Sequence, residues 1–454
     1  MKILLWHGYL LTGSGSNVFT ANLARSWRRR GHDVLLMCQE RATEQFDFVD
    51  EAGDLSGDNA SFRLRSAEGP ASATGRCRLL RPEIGGLLPV YVYDEYAGFQ
   101  VKRFVDLSDD ELSDYTQRNV EAMISAIRWF EPDAIITGHE VMGPEIARRA
   151  CAVTGGSYLA KLHGSALEYA VKKQPRYVQH AATGLGAASR VVGGSRYMVE
   201  EAAAFVPGWK ERAAVVNPGC DVDVFQPRRR STNTGTVGYV GKLIASKGVH
   251  HLLAALPLCR EVHRTVVVGY GGFEPDLRSL AAALRAGDVA AMLAVARRGE
   301  GVPLSHLVRF LEAAPPGYAE AARTLQIEFT GRLEHRELSQ LLPSFDALAV
   351  PSVVPEAFGM VAAEAAAAGV LPIVPAHSGI GEAGSAIEEA IGRPGLLTFD
   401  PAMPVEGLAA AIDRVLGIPL QQRLALEEAA VHLARARWSW DHVADALAEL
   451  AVAP

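Results

Sequence analysis

The sequence predicts an α/β protein with two doubly wound domains, each built on a parallel β-sheet. The chain has 454 residues, more than a single hydrophobic core ordinarily organises. Hydrophobic residues make up 49% of the chain and charged residues 21%, as in a folded globular protein. Short apolar runs alternate with helix-spaced stretches in both halves, which is the pattern of successive βαβ units.

The first half of the chain begins with a complete βαβ unit. The apolar run 2–5 leads into a glycine–serine turn at 13–16, then a helix-spaced stretch, and then the apolar run 34–37. Further buried strands are expected at 134–136, 158–162 and 190–192. Residues 40–80 are acidic and rich in serine, glycine and alanine, so we expect an exposed excursion there.

The second half repeats the alternation after a polar, proline-bearing stretch at 226–235, which we interpret as an interdomain linker. Strands are expected at 237–240, 265–268, 326–329, 347–350 and 371–374. Residues 273–325 are helix-rich and longer than a crossover needs, so they are predicted to form a helical insertion. The resulting domains are 1–225 and 236–437, followed by a terminal helix in 438–454 that could pack back on the first domain.

Composition and charge narrow the class of protein. Five scattered cysteines without a Cys-x-x-Cys pair predict reduced thiols and a cytoplasmic location. A formal net charge of -7 argues against a nucleic-acid binder. No apolar run is long and uncharged enough to span a bilayer. The arginine triplets 28–30 and 228–230 are interpreted as solvated surface, with weak peripheral contact to an anionic membrane as the alternative. The sequence does not indicate the oligomeric state.

Two glutamates give the strongest chemical signal. Glu356 and Glu364 stand eight positions apart, a separation of about 12 Å along a helix axis. Carboxylates that far apart cannot share a proton, but they can hold two ends of an elongated ligand such as a nucleotide sugar. Pro355 and Phe358–Gly359 place Glu356 in a loop and leave backbone N–H groups at the following helix N-terminus for an anion or hydroxyls. The alternative is a surface helix with solvated glutamates.

Two lysines form the second signal. Lys242 and Lys247 flank a turn that directly follows a predicted buried strand and precedes a helix. Ammonium groups there can neutralise a diphosphate leaving group, on which negative charge develops when a glycosyl bond breaks. An ordinary cationic loop is the alternative.

These blocks and several shorter motifs occur in an order that resembles the retaining glycosyltransferases of family four, glycosyl transferases group 1. The shorter motifs are Leu23-Ala24-Arg25 with Arg30-Gly31-His32-Asp33-Val34, Leu162-His163-Gly164, Asn217-Pro218-Gly219 with Asp221-Val222-Asp223, and Phe329-Thr330-Gly331-Arg332-Leu333. The resemblance covers nearly the whole chain except the insertion. It implies a GT-B fold, with two facing Rossmann-like domains, an interdomain cleft, an acceptor-side domain over 1–225 and a nucleotide-sugar-binding domain over 236–437.

The resemblance also implies roles for individual residues of a hexosyltransferase-type enzyme. Lys242 and Lys247 would contact the donor diphosphate, Glu356 the hydroxyls of the donor sugar, and Glu364 the ribose diol. The other implied positions are backbone N–H groups at Phe358, Gly359 and Met360, the base-lining pair Arg332 and Leu333, the close backbone approach at Gly15, and His163 over the donor sugar.

Two positions depart from the family pattern. Members often have arginine where Lys242 stands, so this chain lacks the bidentate fork of a guanidinium there. The usual paired glycines of the first turn appear as Ser14–Gly15, a change of small volume. For His163, a structural histidine at a strand end is the alternative reading.

A further pair of residues follows from strand position alone. His139 and Glu140 come directly after the strand predicted at 134–136. Ligands of parallel sheets bind at the carboxyl ends of strands. We therefore expect His139 and Glu140 near the hydroxyl acceptor.

The expected mechanism is front-face departure and attack. A double displacement would need a carboxylate nucleophile beneath the anomeric carbon, and the resemblance supplies none at a fixed position. The departing diphosphate would instead take the acceptor proton. No Asp-x-Asp metal pattern follows a strand end, so no metal or other cofactor is required beyond the nucleotide-diphosphate sugar that serves as donor.

Three other functions remain open from the sequence. The turn at 13–15 with Glu40 closing the second strand is typical of an NAD-dependent oxidoreductase, but Val18 stands where the third glycine is needed. A sugar phosphorylase or a nucleotide-sugar epimerase or hydrolase would share the fold. The third is a non-catalytic scaffold that binds nucleotide sugars.

Overall fold

The structure, a computed structural model, describes residues 1–66, 74–93, 95–228 and 231–453. It consists of two compact units. The first contains Met1–Pro218 and Trp440–Pro454, and the second contains Gly219–Ser439. Among the described residues, none of the helices combines the length and the apolar composition that crossing a membrane requires.

The division between the units lies before the boundary that the sequence suggested. Phe225, which the sequence assigned to the first domain, is fully buried in the core of the second unit. The stretch interpreted as a linker also belongs to the second unit, where Thr234 donates hydrogen bonds to Asp346 from its backbone and hydroxyl. The polar composition of 226–235 suggested a linker because the contact with the buried Asp346 carboxylate cannot be seen in the sequence. Arg229 and Arg230 lie outside the described residues.

The first unit is organised around a mixed β-sheet. Its strands and those of a small two-stranded parallel sheet are β1 (Lys2–Trp6), β2 (Asp33–Met37), β3 (Glu51–Leu55), β4 (Phe62–Ser66), β5 (Arg76–Arg81), β6 (Leu87–Val90), β7 (Gln100–Arg103), β8 (Ala134–Gly138), β9 (Leu159–Lys161), β10 (Arg190–Gly193) and β11 (Ala213–Val215). The nine strands of the large sheet, counted over the described residues, run in the order β11-β10-β9-β8-β1-β2-β5-β3-β4, and the small sheet pairs β6 with β7. All pairs in the large sheet are parallel except β3 with β4, so this is a doubly wound sheet with an antiparallel edge strand.

Helices cover this sheet. They are α1 (Gly15–Arg29), α2 (Asp109–Phe130), α3 (Gly143–Thr154), α4 (Pro175–Ala187) and α5 (Arg196–Phe205). Ser108 caps α2 in a capping box with Glu111, and three acidic residues in the first turn complement the helix dipole. The central strands are buried on both faces beneath the helices, as the βαβ pattern predicts.

The prediction of an exposed excursion over residues 40–80 is wrong in part, because β3, β4 and β5 lie there. Their polar side chains pair laterally between neighbouring strands. Arg81 contacts Asp54 at 2.6 Å, and Arg78 contacts Glu51 at 2.9 Å. Since cross-strand ion pairs satisfy charged side chains at a sheet edge, a segment of polar composition still forms strands.

The second unit contains a fully parallel six-stranded sheet, counted over the described residues. Its strands are β12 (Thr236–Val240), β13 (Arg264–Val268), β14 (Ile327–Gly331), β15 (Ala347–Ala349), β16 (Pro372–Pro375) and β17 (Thr398–Phe399), in the order β14-β13-β12-β15-β16-β17. Its helices are α6 (Val249–Ala255), α7 (Glu274–Ala286), α8 (Val289–Arg298), α9 (Ser305–Glu312), α10 (Tyr318–Ala322), α11 (His335–Leu341), α12 (Met360–Ala367), α13 (Ser378–Ala390), α14 (Pro404–Leu416) and α15 (Leu420–Arg437). The predicted helical insertion is confirmed, since α7 to α10 all lie between β13 and β14.

A buried ion pair fastens the start of this sheet. Asp346 accepts hydrogen bonds from the backbone N–H groups of Thr234 and Thr236, each at 3.0 Å. Its other oxygen accepts a bond of 2.7 Å from Arg423 on α15. The side chains of Asp346 and Arg423 are 1% and 0% exposed. The pair therefore connects the residues just before β12, the residue just before β15 and the helix α15.

The last helix, α16 (Trp440–Val452), belongs to the first unit. It packs against α1, where the indole of Trp27 donates a 2.8 Å hydrogen bond to the carbonyl of Ala444. Phe19 and Trp440 meet edge to face, with their ring centroids 5.6 Å apart. The helix thus closes part of the hydrophobic core that contains β1 and β2.

The first arginine triplet is engaged in ion pairs within the first unit. Arg28 contacts Asp50 at 2.6 Å, while Arg29 and Arg30 contact the α16 residues Asp441 and Asp445 at 2.7 and 2.5 Å. These guanidinium groups therefore already have carboxylate partners.

Candidate active site

Two loops at the carboxyl ends of neighbouring strands meet in the second unit. One loop follows β12 and the other follows β15, and the two strands are paired in the sheet. Gly248 ends the first loop with a φ of +73°, and a Cβ there would lie 1.8 Å from the carbonyl oxygen of Pro351 in the second. Val353 donates a 2.9 Å backbone hydrogen bond to Ser246. Only glycine permits this approach, which locks the loops together.

This contact brings Lys247 and Glu356 together. The Lys247 ammonium lies 2.8 Å from the Glu356 carboxylate, and the side chains are 33% and 15% exposed. The Ser352 hydroxyl donates a hydrogen bond to the same carboxylate oxygen. The Ser378 hydroxyl accepts a 3.0 Å bond from the backbone N–H of Glu356. Glu356 is therefore oriented from three sides although it lies in a loop.

Lys242 is placed differently. It lies on the same loop, its side chain is exposed, and its carbonyl accepts a 2.9 Å hydrogen bond from the Tyr239 hydroxyl. The structure therefore fixes the backbone at Lys242 while leaving the ammonium at the surface.

The loop carrying Glu356 leads directly into the N-terminus of α12. Gly359 has a φ of +85°, and a Cβ there would lie 2.8 Å from the side chain of Ile380. No side chain caps α12, so Met360 begins the helix with amide groups available to a ligand. Phe358 is buried and packs edge to face on Trp438 at 5.5 Å. Its predicted contribution is restricted to the backbone, because the ring belongs to the core.

Glu364 lies on α12 and is half-buried. Burial raises the pKa of its carboxyl group to about 7, and the neighbouring charge of Asp221 adds to the shift. Asp221 in turn accepts hydrogen bonds from the backbone of Asp223 and Val224. A carboxyl group placed in this way can accept hydrogen bonds from hydroxyl groups of a ligand once it is ionised.

The base-lining pair predicted from the sequence follows β14. Arg332 lies over the ring of Tyr270 at 5.5 Å and contacts Glu334 at 3.3 Å, with 62% of its side chain exposed. Leu333 packs against the core of the second unit. The exposed ring of Tyr270, which the sequence did not single out, adds an aromatic surface beside Arg332.

The helical insertion reaches the lysine loop. Glu300, between α8 and α9, accepts a 2.6 Å hydrogen bond from the backbone N–H of Ala245. Ala245 stands between the two lysines, so the insertion helps to hold the backbone on which both are mounted. This contact could not be predicted from the sequence, because a single glutamate in a glycine-rich turn has no spacing signal.

In the first unit, three histidines follow three adjacent parallel strands. His7 directly follows β1 and His139 directly follows β8. One residue, Leu162, separates His163 from the end of β9. The imidazole centroids of His139 lie 5.8 Å from His7 and 4.8 Å from His163. Burial lowers the pKa of His7 to about 4 and that of the other two well below its ordinary value. All three rings are therefore neutral at pH 7.

Glu140 lies beneath the turn that carries His163. Its carboxylate accepts a 2.8 Å hydrogen bond from the backbone N–H of Gly164. Burial raises the pKa of Glu140 and lowers that of Lys161 to about 7, and each charge partly opposes the shift of the other. Both groups are buried, so Glu140 supports the turn rather than facing an open surface.

Gly15 is the first residue of α1. Ser14 caps the helix through a hydrogen bond from the backbone N–H of Asn17. The left-handed residue of the turn is Gly13, with a φ of +93°, rather than Gly15. The side chains of Ser14 and Ser16 line a pocket together with His139.

Glu40, the residue on which a dinucleotide-binding interpretation depends, is occupied within the protein. Its carboxylate accepts hydrogen bonds from the backbone N–H groups of Leu11, Arg41 and Ala42, at 3.0 to 3.1 Å. It therefore has little capacity left for a ribose diol.

Two family models match the chain. The model described as "Glycosyl transferase 4-like domain" matches residues 14–219, and "Glycosyl transferases group 1" matches residues 319–432. The glycogen synthase of Mycobacterium tuberculosis is 33% identical over 252 residues, or 55% of this chain and 50% of the relative. The D-inositol 3-phosphate glycosyltransferase of Corynebacterium urealyticum is 32% identical over 256 residues, or 53% and 51%. The chain thus spans about half the length of these curated relatives.

Solved structures share the fold over essentially the whole chain. The Anabaena protein HepE in complex with UDP has a TM-score of 0.62 at 17% identity and covers 99% of both chains. Sucrose-phosphate synthase from Thermosynechococcus elongatus has a TM-score of 0.57 at 18% identity and covers 99% of this chain and 98% of its own. At these identities the likeness establishes the fold alone.

Proposed function

Because the chain belongs to the group 1 glycosyl transferases of family four and has the GT-B fold, we propose that it moves a sugar from a nucleotide-diphosphate sugar to a hydroxyl acceptor with retention at the anomeric carbon. The second unit binds the donor in this proposal, and the first unit binds the acceptor. No metal ion is needed for the reaction as proposed.

The ion pair of Lys247 and Glu356 at the N-terminus of α12 carries the proposal. It places a cation, a carboxylate and uncapped backbone amides around the ends of two paired strands, which is where a parallel sheet binds ligands. The ammonium and the amides suit a diphosphate, and the carboxylate suits sugar hydroxyls. Glu364 lies further along the same helix and suits the ribose diol.

In the proposed reaction, the bond between the anomeric carbon and the diphosphate oxygen breaks as the acceptor oxygen attacks the same face. The diphosphate leaves with the electron pair of that bond and takes the acceptor proton. Lys247 and Lys242 stabilise the charge that develops on it. Glu356 orients the sugar through its hydroxyls, and His163 is assigned to the reacting sugar.

A panel of donors tests this function. The purified chain is heated with UDP-, GDP-, ADP- and dTDP-glucose, beginning with UDP because the similar HepE structure holds UDP. A donor present at 100 times its Kd stabilises the protein by about 2.7 kcal/mol, which raises Tm measurably. The selected donor is then incubated with hydroxyl acceptors, and the anomeric configuration of the product is read by NMR.

We expect one nucleotide to stabilise the protein and an α-linked product to form from an α-linked donor. Stabilisation without any product would favour a binding scaffold. A requirement for inorganic phosphate would favour a phosphorylase, and an inverted product would overturn the front-face mechanism. In each of these outcomes the proposed function is wrong.

The titration of Glu364 gives a pH prediction. With a pKa of about 7, its carboxyl group is mostly protonated at pH 6 and mostly ionised at pH 8. If the ionised form accepts the ribose hydroxyls, the affinity for UDP-glucose rises about tenfold over this range. Isothermal calorimetry of the wild type and of Glu364→Gln at pH 6 and pH 8 measures this change in affinity. The affinity of the variant should not depend on pH over this range. If the affinity of both proteins changed equally with pH, a group other than Glu364 would be responsible.

The same pKa predicts a change in stability of the protein without ligand. A carboxyl group whose pKa is higher in the folded state favours folding while protonated, and its contribution to the free energy of unfolding falls as the pH rises from about 4.5 to about 7. At neutral pH, ionisation of Glu364 therefore lowers the free energy of unfolding of the protein without ligand, and donor binding raises it again.

A further inference from the structure

The first unit contains a pocket of about 90 Å³ whose lining is uncharged and mostly apolar in area, with several hydroxyl and amide groups. Three tyrosines, three serines, two valines, an asparagine and a histidine line it, and among these described residues none is a lysine, arginine, aspartate or glutamate. The serines come from the first turn of α1 and from the loop after β9, and Tyr91 follows β6. Hydroxyl and amide groups thus alternate with aromatic faces.

Nε2 of His139 is among the polar atoms of the lining residues that have no partner in the described part of the chain. His139 is 1% exposed, yet its Nε2 makes no hydrogen bond, and Nδ1 meets only the Ser165 hydroxyl at 3.5 Å. The residue adopts a φ of +69°, which histidine rarely does. An unsatisfied buried ring nitrogen and an uncommon backbone conformation at one pocket residue both point to a ligand.

The charge of the surroundings limits the class of that ligand. A phosphate monoester carries nearly two negative charges and requires cationic partners when it leaves water. The buried lysine nearest in sequence to this site, Lys161, does not line the pocket and donates to the carbonyl of Val216 at 3.4 Å. Burial also lowers its pKa to about 7, which reduces its average charge. A neutral ring with hydroxyl groups satisfies the same lining without an unpaired charge.

We propose that this pocket binds the uncharged, hydroxyl-bearing ring of the acceptor, a saccharide or cyclic polyol without phosphate, against the side chain of His139. The inference rests on the proposed function for its reference to an acceptor. The apolar faces of Tyr9 and Tyr91 pack against the C–H groups of the ring, and the serines and Asn17 bond its hydroxyls. The pocket thereby selects neutral acceptors over their phosphorylated forms.

Binding without donor tests the pocket independently of turnover. Saturation-transfer NMR and calorimetry compare glucose and myo-inositol with glucose 6-phosphate and inositol 1-phosphate. We expect at least one neutral probe to bind 100-fold more tightly than its monophosphate. Equal or tighter binding of the monophosphates, or binding of no probe, would overturn the proposal. Release of nucleotide from the donor, measured in parallel, tests the proposed function separately. If the protein binds neutral probes but never releases nucleotide, the proposed function is wrong and the proposal for the pocket still holds.

Substitutions of lining residues test whether this pocket is responsible for the preference for neutral probes. His139→Asn should weaken neutral-probe binding at least tenfold while Tm is retained, because asparagine tolerates a left-handed backbone but cannot reach as far. Val92 is 58% exposed at the pocket, so Val92→Arg should fold and should lower the neutral-to-phosphate preference at least tenfold. Val153→Arg, at an equally exposed valine outside the pocket, is the matched control and should leave the preference unchanged. An unchanged preference in Val92→Arg contradicts the electrostatic argument, and unchanged binding in His139→Asn contradicts the contact with His139.

Discussion

Lys247→Ala is expected to lower kcat by about 10² to 10³-fold at saturating donor, the loss typical when one preorganised partner of a developing charge is removed. The ammonium is held in place by the Glu356 carboxylate before any donor binds. No reorganisation is then needed as the diphosphate leaves. Because the charge on the diphosphate grows in the transition state, kcat should fall more than donor affinity. Initial rates and donor calorimetry on the same preparation separate the two effects.

Lys173→Ala provides the control for this change, since it removes an exposed lysine from the first unit. It should retain wild-type kcat. Glu356→Gln, which keeps the shape of the partner but removes its charge, should also reduce kcat because the ammonium loses the ion pair that holds it. Near-normal turnover by Lys247→Ala would refute its role in stabilising the leaving group.

Asp346→Ala should destabilise the second unit by about 3–5 kcal/mol, because it breaks a buried ion pair and leaves the guanidinium of Arg423 with the longer contact to Glu427 at 3.4 Å. It also removes the acceptor for the backbone groups of Thr234 and Thr236. For a unit of this size, Tm should fall on the order of 10 °C. Thermal and urea denaturation with a probe in the second unit measure the loss.

Glu389→Ala is the matched control for Asp346→Ala. Glu389 is exposed on α13, and its substitution should change stability by less than about 0.5 kcal/mol. A triple variant, Asp346→Leu with Arg423→Met and Glu427→Leu, should recover part of the loss because no charge of this buried group then remains without a partner. A single variant as stable as the wild type would show that the ion pair does not hold the sheet entry.

The strands were predictable because their sequences carry the signal directly. The run 34–37 is entirely apolar and the run 265–268 is entirely β-branched, and strands of a parallel sheet buried on both faces are rich in such residues. The edge strands β3 and β4 were missed because their stability comes from lateral partners. Arg81 and Asp54 are far apart in sequence, so composition alone reads the segment as loop.

The sequence predicts the residues of the candidate site but not the contacts between them. The spacing of Glu356 and Glu364, and of Lys242 and Lys247, is visible in the chain, yet the pairing of Lys247 with Glu356 depends on β12 lying next to β15. The partners Ser352, Ser378 and Glu300 were missed, since an isolated serine or glutamate has no periodicity that distinguishes it from solvated surface.

The position of α16 has a consequence for the synthesis of the protein. The helix covers Phe19 and Trp27, but a ribosome reaches its codons only after making the whole second unit. At about 5–20 residues per second, that delay is on the order of ten to forty seconds. During this interval the nascent first unit exposes an apolar surface to the cell, and chaperones that bind such surfaces have time to engage it.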